Sequence, residues 1–71
     1  MNGPESLIIT RLLKTMFPNM GRIMQMRRMR PEQWVIYITD LRENKTELKT
    51  MEDVDQFIKQ EVVHDIQRRI T

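Results

Sequence analysis

Apolar residues recur near the start of the chain at the spacing of an amphipathic helix. They fall at i, i+4, i+5 and i+8 and would share one face. The members of this face are Ile8, Leu12, Leu13, Met16 and Phe17, with Leu7 and Ile9 widening it. Pro4 suits a first helical turn, and Pro18 disfavours helical backbone at the residue before it. The pattern predicts a first helix that ends at Phe17, with Arg11 and Lys14 on its polar side.

The nine residues from Arg22 to Arg30 fit neither a plain helix nor a plain strand. Their helix propensity is high, but at 100° per residue the apolar side chains scatter over more than half of the circumference. In a plain strand Met24 and Met26 would share a face that Met29 does not. One extra residue at Arg27–Arg28, a β-bulge, would bring the three methionines to one side. The pattern favours a bulged strand over a short helix, and both stay open.

The clearest strand is Trp34–Thr39, which is rich in β-branched and aromatic residues. Apolar residues on both of its faces are typical of a central strand. Residues 31–33 are expected to form the turn before it, and residues 40–45 a polar turn after it. The alternating stretch Thr46–Thr50 then predicts a short third strand with Leu48 facing inward, so that the two strands form a hairpin.

A second helix is predicted from about Met51 to Arg69, with Thr50 as its N-cap and Asp53 in the position of a capping-box acid. Its first half presents an apolar face that would pack on the sheet. The apolar residues of its second half drift round the axis by about 40° at every four-residue step. They are Val62, Val63, Ile66 and Ile70. We expect them to be covered either by the first helix or by a second copy of the chain.

The sequence therefore predicts one small α+β domain over residues 1–71. Its order is α-β-β-β-α, with a three-stranded antiparallel sheet packed by two helices. This order and length resemble the double-stranded-RNA-binding domain. In that family the second helix begins with lysines that grip phosphates, whereas residues 50–55 here are acidic. The resemblance covers the order of elements alone, and no functional residue is carried over.

Charge is segregated along the chain, although the net charge is only +2. Residues 6–31 hold six basic side chains and no acidic one, and residues 32–67 hold nine acids against four bases. Such asymmetry indicates an anionic partner, unless the two halves face and neutralise each other. The chain has no cysteine, no signal-peptide pattern and no apolar run of membrane-spanning length. We expect a soluble, cytoplasmic protein.

Catalysis is not expected, because a chain with no cysteine and one histidine lacks the usual pairs of nucleophile and base. Glu61 and His64 have the Glu-x-x-His spacing of carboxylate-bridged metal helices, but such sites need further carboxylates and usually a second motif. Only two glycines occur, so there is no glycine-rich phosphate loop. The sequence predicts no catalytic residue, no metal site, no cofactor and no small-molecule substrate.

Two binding functions remain. The first is a protein-binding regulator or inhibitor, homodimerisation included, of the sort encoded by phages and mobile elements; methionine-rich surfaces adapt to partners. Its candidate interface is Met24, Met26, Met29, Val62, Val63, Ile66 and Ile70. The alternative is a nucleic-acid-binding protein that contacts phosphates through the segment Arg22–Arg30. Its candidate residues, which would equally suit an acidic partner, are Arg11, Lys14, Arg22, Arg27, Arg28, Arg30 and Tyr37.

Overall fold

The computed structural model describes residues 1–70, with Thr71 and the side chain of Ile70 outside the described part. In chain order the elements are α1 Gly3–Met16, β1 Gly21–Met29, β2 Glu32–Asp40, β3 Lys45–Leu48 and α2 Met51–Ile70. β2 lies between β1 and β3 and runs antiparallel to both. The predicted α-β-β-β-α order, with a three-stranded antiparallel sheet and two helices, is confirmed.

Both helices pack on the same face of the sheet. The core formed there comprises Ile9 and Leu13 of α1, Ile23 of β1, Ile36 and Ile38 of β2, Leu48 of β3, and Val54 and Phe57 of α2. α1 lies on β1 and β2, and α2 lies on β3. The Phe17 ring, just after α1, meets the Phe57 ring edge to face with centroids 6.0 Å apart. Of the two apolar faces of β2, the helices cover the one that carries Ile36 and Ile38, and Val35 lies on the other.

The side of α1 that packs on the sheet is only partly the predicted one, since Ile9, Leu13 and Phe17 of the predicted face do contact the core. Its buried residues are Ser6, Ile9, Thr10 and Leu13. Three members of the predicted face stay exposed, namely Ile8, Leu12 and Met16. The hydroxyl of Ser6 donates to the Gly3 carbonyl at 2.8 Å, and that of Thr10 donates to the Ser6 carbonyl at 2.7 Å. Because these bonds satisfy both hydroxyls inside the helix, small polar side chains can face the sheet at little cost.

β1 pairs with β2 without interruption, from Gly21 opposite Asp40 to Met29 opposite Glu32. The predicted bulge at Arg27–Arg28 is therefore wrong, and so is the alternative of a short helix. Met29 lies on the other face from the remaining strand methionines, but it is 72% exposed. Because Met29 is not buried, it does not need to share a face with Met24 and Met26, and β1 forms without a bulge.

Gly21 starts β1 in a backbone conformation that side chains disfavour, with φ of 131°. A Cβ at this position would overlap the carbonyl oxygen of Thr39 on the neighbouring strand. Gly21 is thus required by the close approach of β1 and β2 as well as by its own backbone angle.

Two aspartates hold the connections around β3. The Asp53 carboxylate accepts the backbone N–H groups of Lys49 at 3.0 Å and of Thr50 at 3.2 Å. The Thr50 hydroxyl accepts the Asp53 N–H at 3.1 Å, which completes the predicted capping box. The Asp40 carboxylate accepts two backbone N–H groups in the β2–β3 turn, from Asn44 and Arg42, both at 2.9 Å. These bonds favour the charged carboxylates and lower the pKa of both aspartates.

Substitution Gly21→Ala should destabilise the protein strongly, by about 2 kcal/mol or more, because it adds backbone strain to a steric overlap. Urea unfolding followed by circular dichroism measures the change. Asn19→Ala in the adjacent exposed loop is the control, and it should stay within about 0.5 kcal/mol of the wild type. Equal stability of the two variants would contradict the assigned role of Gly21.

Stability should fall as the pH drops below about 4, the ordinary aspartate range. In the folded state the pKa of Asp40 and that of Asp53 are lower than in the unfolded state. The largest cause is the backbone N–H of Asn44 for Asp40 and the backbone N–H of Lys49 for Asp53. Their contribution is complete above the unfolded pKa and is lost as the pH falls through the folded pKa. Urea unfolding at neutral and acidic pH should show a smaller loss for Asp40→Asn with Asp53→Asn than for the wild type. An unchanged loss would contradict this assignment.

Candidate functional site

The face of the sheet opposite the helices is left open. Since side chains alternate along a strand and paired residues share a face, the register identifies the residues on it. We call it the open face. It comprises Arg22, Met24, Met26 and Arg28 of β1, Gln33, Val35, Tyr37 and Thr39 of β2, and Lys45 and Glu47 of β3. Four predicted site residues of β1 and the predicted Tyr37 thus come together on one surface.

The middle of the open face is apolar. Val35 is fully buried, yet it does not belong to the core cluster beneath the helices. Met26 lies directly opposite Val35 in the β1–β2 register. Met24 and Met26 are themselves 53% and 50% exposed. A buried aliphatic side chain is therefore flanked by two long, flexible apolar ones that solvent still reaches.

A polar network beside this patch ties the three strands together. Arg28 of β1 donates from Nε to the Tyr37 hydroxyl at 2.9 Å and from Nη2 to the Glu47 carboxylate at 2.6 Å. Its guanidinium carbon lies over the Tyr37 ring, 5.7 Å from the centroid. The Tyr37 hydrogen bond and the Glu47 charge raise the pKa of Arg28 and so favour its charged form. The Tyr37 hydroxyl therefore accepts a hydrogen bond from the same guanidinium that lies over its ring.

The basic segment is not neutralised by α2. Arg27 forms an ion pair with Glu32 of β2, and Arg28 pairs with Glu47 of β3. Arg22 and Arg30 have no acidic partner among residues 1–70. The ion pairs seen on α2 are internal and follow i, i+4 spacing, for example Asp55 with Lys59 and Asp65 with Arg69. Among residues 1–70, the two oppositely charged halves of the sequence therefore pair within the sheet, at Arg27 and Arg28, and not through α2.

Other predicted site residues lie away from the open face. Arg27 and Met29 point to the opposite face of β1, and Arg30 lies in the turn. Arg11 is on α1. Lys14 is also on α1, but it borders a depression of about 420 Å³ at the Gly21 end of β1, and Arg22 borders it too. The remaining walls are mainly apolar, from Phe17, Pro18, Ile23 and Met24.

A second apolar surface lies on the outer half of α2. Val62, Val63 and Ile66 are 41%, 53% and 50% exposed, while the predicted Ile70 lies outside the described side chains. Ile66 follows the core residue Phe57 by nine residues, which places it half a turn round the helix. This stripe therefore points away from the core, and the expectation that α1 covers it is wrong.

Sequence reasoning missed part of the surface. Lys45 and Glu47 could have been placed beside Tyr37 by strand alternation, had the register been known. Nothing in the local sequence indicates that Ile8 and Leu12 of α1 are exposed, because their spacing is that of a buried helix face. Trp34 lies on the helix side of the sheet, with its indole against Gly3.

Within the described chain, no group of three or more His, Cys, Asp or Glu side chains could hold a metal ion. No helix of residues 1–70 has both the length and the apolar character needed to cross a membrane. No protein-family model matches the chain, and no curated protein or solved structure matches it either. Function has to be inferred from the geometry of the chain itself.

Proposed function

We propose that this chain is a non-enzymatic protein-binding module, a regulator or inhibitor acting in the cytoplasm. It contacts its partner through the open face and the adjoining outer edge of β1. The observation that carries the proposal is the pair of half-exposed methionines, Met24 and Met26, around buried Val35 on a face that no helix covers. An apolar patch rimmed by polar groups is typical of protein interaction sites.

The composition of the open face fits an interface with protein. Methionine, tyrosine and arginine are enriched at such interfaces, and all three occur here side by side. The Arg28 network holds Tyr37 and Glu47 in place before any partner arrives. Fewer side chains then lose freedom on binding, which lowers the entropic cost of association. Flexible Met24 and Met26 can adapt their shape to the partner.

Nucleic acid is the less supported alternative. Arg22, Arg28 and Lys45 outnumber Glu47 on the open face, so phosphate contacts there are electrostatically favourable. Binding of single strands, however, relies on aromatic rings available for base stacking. Tyr37 already has a guanidinium over its ring, and Trp34 is on the other face of the sheet. The surface offers charge without a free stacking platform.

The outer stripe of α2 supports self-association as a second part of the proposal. Val62, Val63 and Ile66 point away from the core of their own chain. Homodimers use the same patch on both copies, and an apolar stripe along a helix is a self-complementary shape. Dimerisation through α2 would leave the open face available to a different protein.

Replacing both open-face methionines by their polar isostere, Met24→Gln with Met26→Gln, should weaken partner binding about tenfold or more, since apolar contact is lost. The assay is capture from a nuclease-treated lysate of the source cell, followed by affinity measurement on the captured protein after purification.

Met29→Gln is the matched control, because this methionine belongs to the same strand but points to the opposite face. It should bind as the wild type does. Binding through the open face would be refuted if the wild type, the double variant and Met29→Gln all bound with equal affinity. It would also be refuted if the wild type captured the protein only from lysate that had not been treated with nuclease.

Substitution Ile66→Asp should dissociate the dimer without unfolding the chain, because Ile66 is half exposed and lies outside the core. Sedimentation equilibrium should give a mass near twice 8.7 kDa for the wild type and near 8.7 kDa for the variant. Gln60→Asp, also exposed on α2, should remain dimeric. A monomeric wild type at high concentration would disprove self-association.

A further inference from the structure

We propose that β1 binds an acidic, extended segment of the partner protein, which adds to the sheet as a fourth, antiparallel strand along the outer edge of β1. This inference rests on the protein-binding function proposed above and defines the chemistry of the partner. The strand order places β1 at the edge of the sheet, paired only with β2.

The hydrogen bonds of β2 show which of its backbone groups point away from β1. The Trp34 N–H donates to the Met1 carbonyl at 3.0 Å, and the Asp40 N–H donates to the Asn44 carbonyl at 3.0 Å. Both bonds lie on the β3 side of β2. Backbone groups alternate in direction along an antiparallel strand, so the even-numbered residues of β2 face β3 and the odd-numbered ones face β1.

The register carries this alternation over to β1. Arg27 and Gly21 pair with the two residues that face away, Trp34 and Asp40. The odd-numbered residues of β1, with Gln25 at the centre, therefore direct their N–H and C=O groups outward. In the described chain no backbone hydrogen bond from outside the strand ladders reaches them. The strand is nine residues long and has neither bulge nor internal proline, so its edge is a continuous template for another strand.

The charge of this edge selects its occupant. Residues 21–31 contain four arginines and no acidic residue. A second copy paired antiparallel about Gln25 would set Arg22 opposite the partner's Arg28, and like charges opposite each other destabilise a strand pair. In other registers the arginines meet different residues, but β1 has no acidic side chain that could lie opposite any of them. Glutamates or aspartates opposite the arginines would turn this repulsion into attraction. Arg22 and Arg30 are available for such pairing, because neither has an acidic partner among residues 1–70.

The depression at the Gly21 end of β1 adds a specific contact. An added strand would pass it, and its volume of about 420 Å³ is enough for a large side chain. Phe17 and Ile23 give it apolar walls, while Lys14 and Arg22 stand at its border. This end of the site suits an apolar residue with an acidic neighbour.

The test uses a capped synthetic peptide, Glu-Gln-Glu-Glu-Val-Thr-Val-Val-Glu. Aligned antiparallel, its threonine lies opposite Gln25 and its outer glutamates lie opposite Arg30 and Arg22. Two N-methylated versions form a matched pair. Methylation at the threonine removes a donor that faces β1, whereas methylation at the preceding valine removes one that faces solvent. A version with lysine in place of every glutamate tests charge.

Titration at low salt should show binding of the parent peptide and of the valine-methylated peptide with equal affinity. The threonine-methylated and lysine peptides should bind at least tenfold more weakly. No binding of the parent, equal binding of both methylated forms, or equal binding of the lysine peptide would each overturn the proposal. Binding of a short single-stranded RNA to this edge in place of the peptide would overturn it as well.

On the protein, Gln25→Pro should abolish peptide binding, because it removes the outward N–H that would donate to the added strand. The fold should persist, since proline is tolerated in an edge strand where its missing N–H faced solvent. Circular dichroism should show a wild-type spectrum; the methylated peptides test the same point on the unaltered protein. If the captured protein depended on Met24 and Met26 and yet bound Gln25→Pro with full affinity, strand addition would be refuted and the proposed function would stay intact.

Discussion

The unbroken pairing of β1 with β2 is the constraint on which the rest of the molecule depends. Each pair assigns two side chains to one face: Ile23 with Ile38 in the core, Met26 with Val35 on the open face. A shift of one residue would exchange the two faces and expose the core side chains. Gly21 sustains this register at one end, because only glycine lets β1 approach Thr39 there. Fold and candidate site are therefore two consequences of the same ladder.

The order of elements and the positions where α1 ends and α2 begins could be predicted because local chemistry determines them. The strand ends were less accurate, since β2 begins at Glu32, inside the expected turn, and β3 ends at Leu48 rather than Thr50. Pro18 ends α1 through its effect on the preceding residue, and Thr50 with Asp53 begins α2 through reciprocal hydrogen bonds. The packing face of α1 could not be predicted in this way. Ser6 and Thr10 become suitable for burial only because their hydroxyls bond inside the helix, and a hydrophobicity pattern counts them as polar. The predicted bulge was wrong for a different reason. It assumed that the three methionines of the strand belong on one face, but all three are exposed and nothing requires this.

The site was harder to predict than the fold, because its members come from three strands. Arg28 and Glu47 are nineteen residues apart in sequence, and only the register brings both to Tyr37. Charge segregation along the chain was also a poor guide to charge in space. The ion pairs described for α2 are local, as the i, i+4 spacing on a helix favours. The acids that pair with β1 come instead from the neighbouring strands, Glu32 of β2 and Glu47 of β3.

The arginines of β1 reconcile two demands on an exposed edge strand. An open edge invites pairing with any extended chain, and charged side chains are a common means of preventing this. The same positive charge that repels a second copy of β1 attracts an acidic strand, so protection and recognition need no separate residues. Arg27 and Arg28 already have acids from their own sheet, whereas Arg22 and Arg30 do not. Eight residues of extended chain span about 26 Å. The charge left for a partner thus lies at the two ends of the edge, and a matching segment needs acids at both.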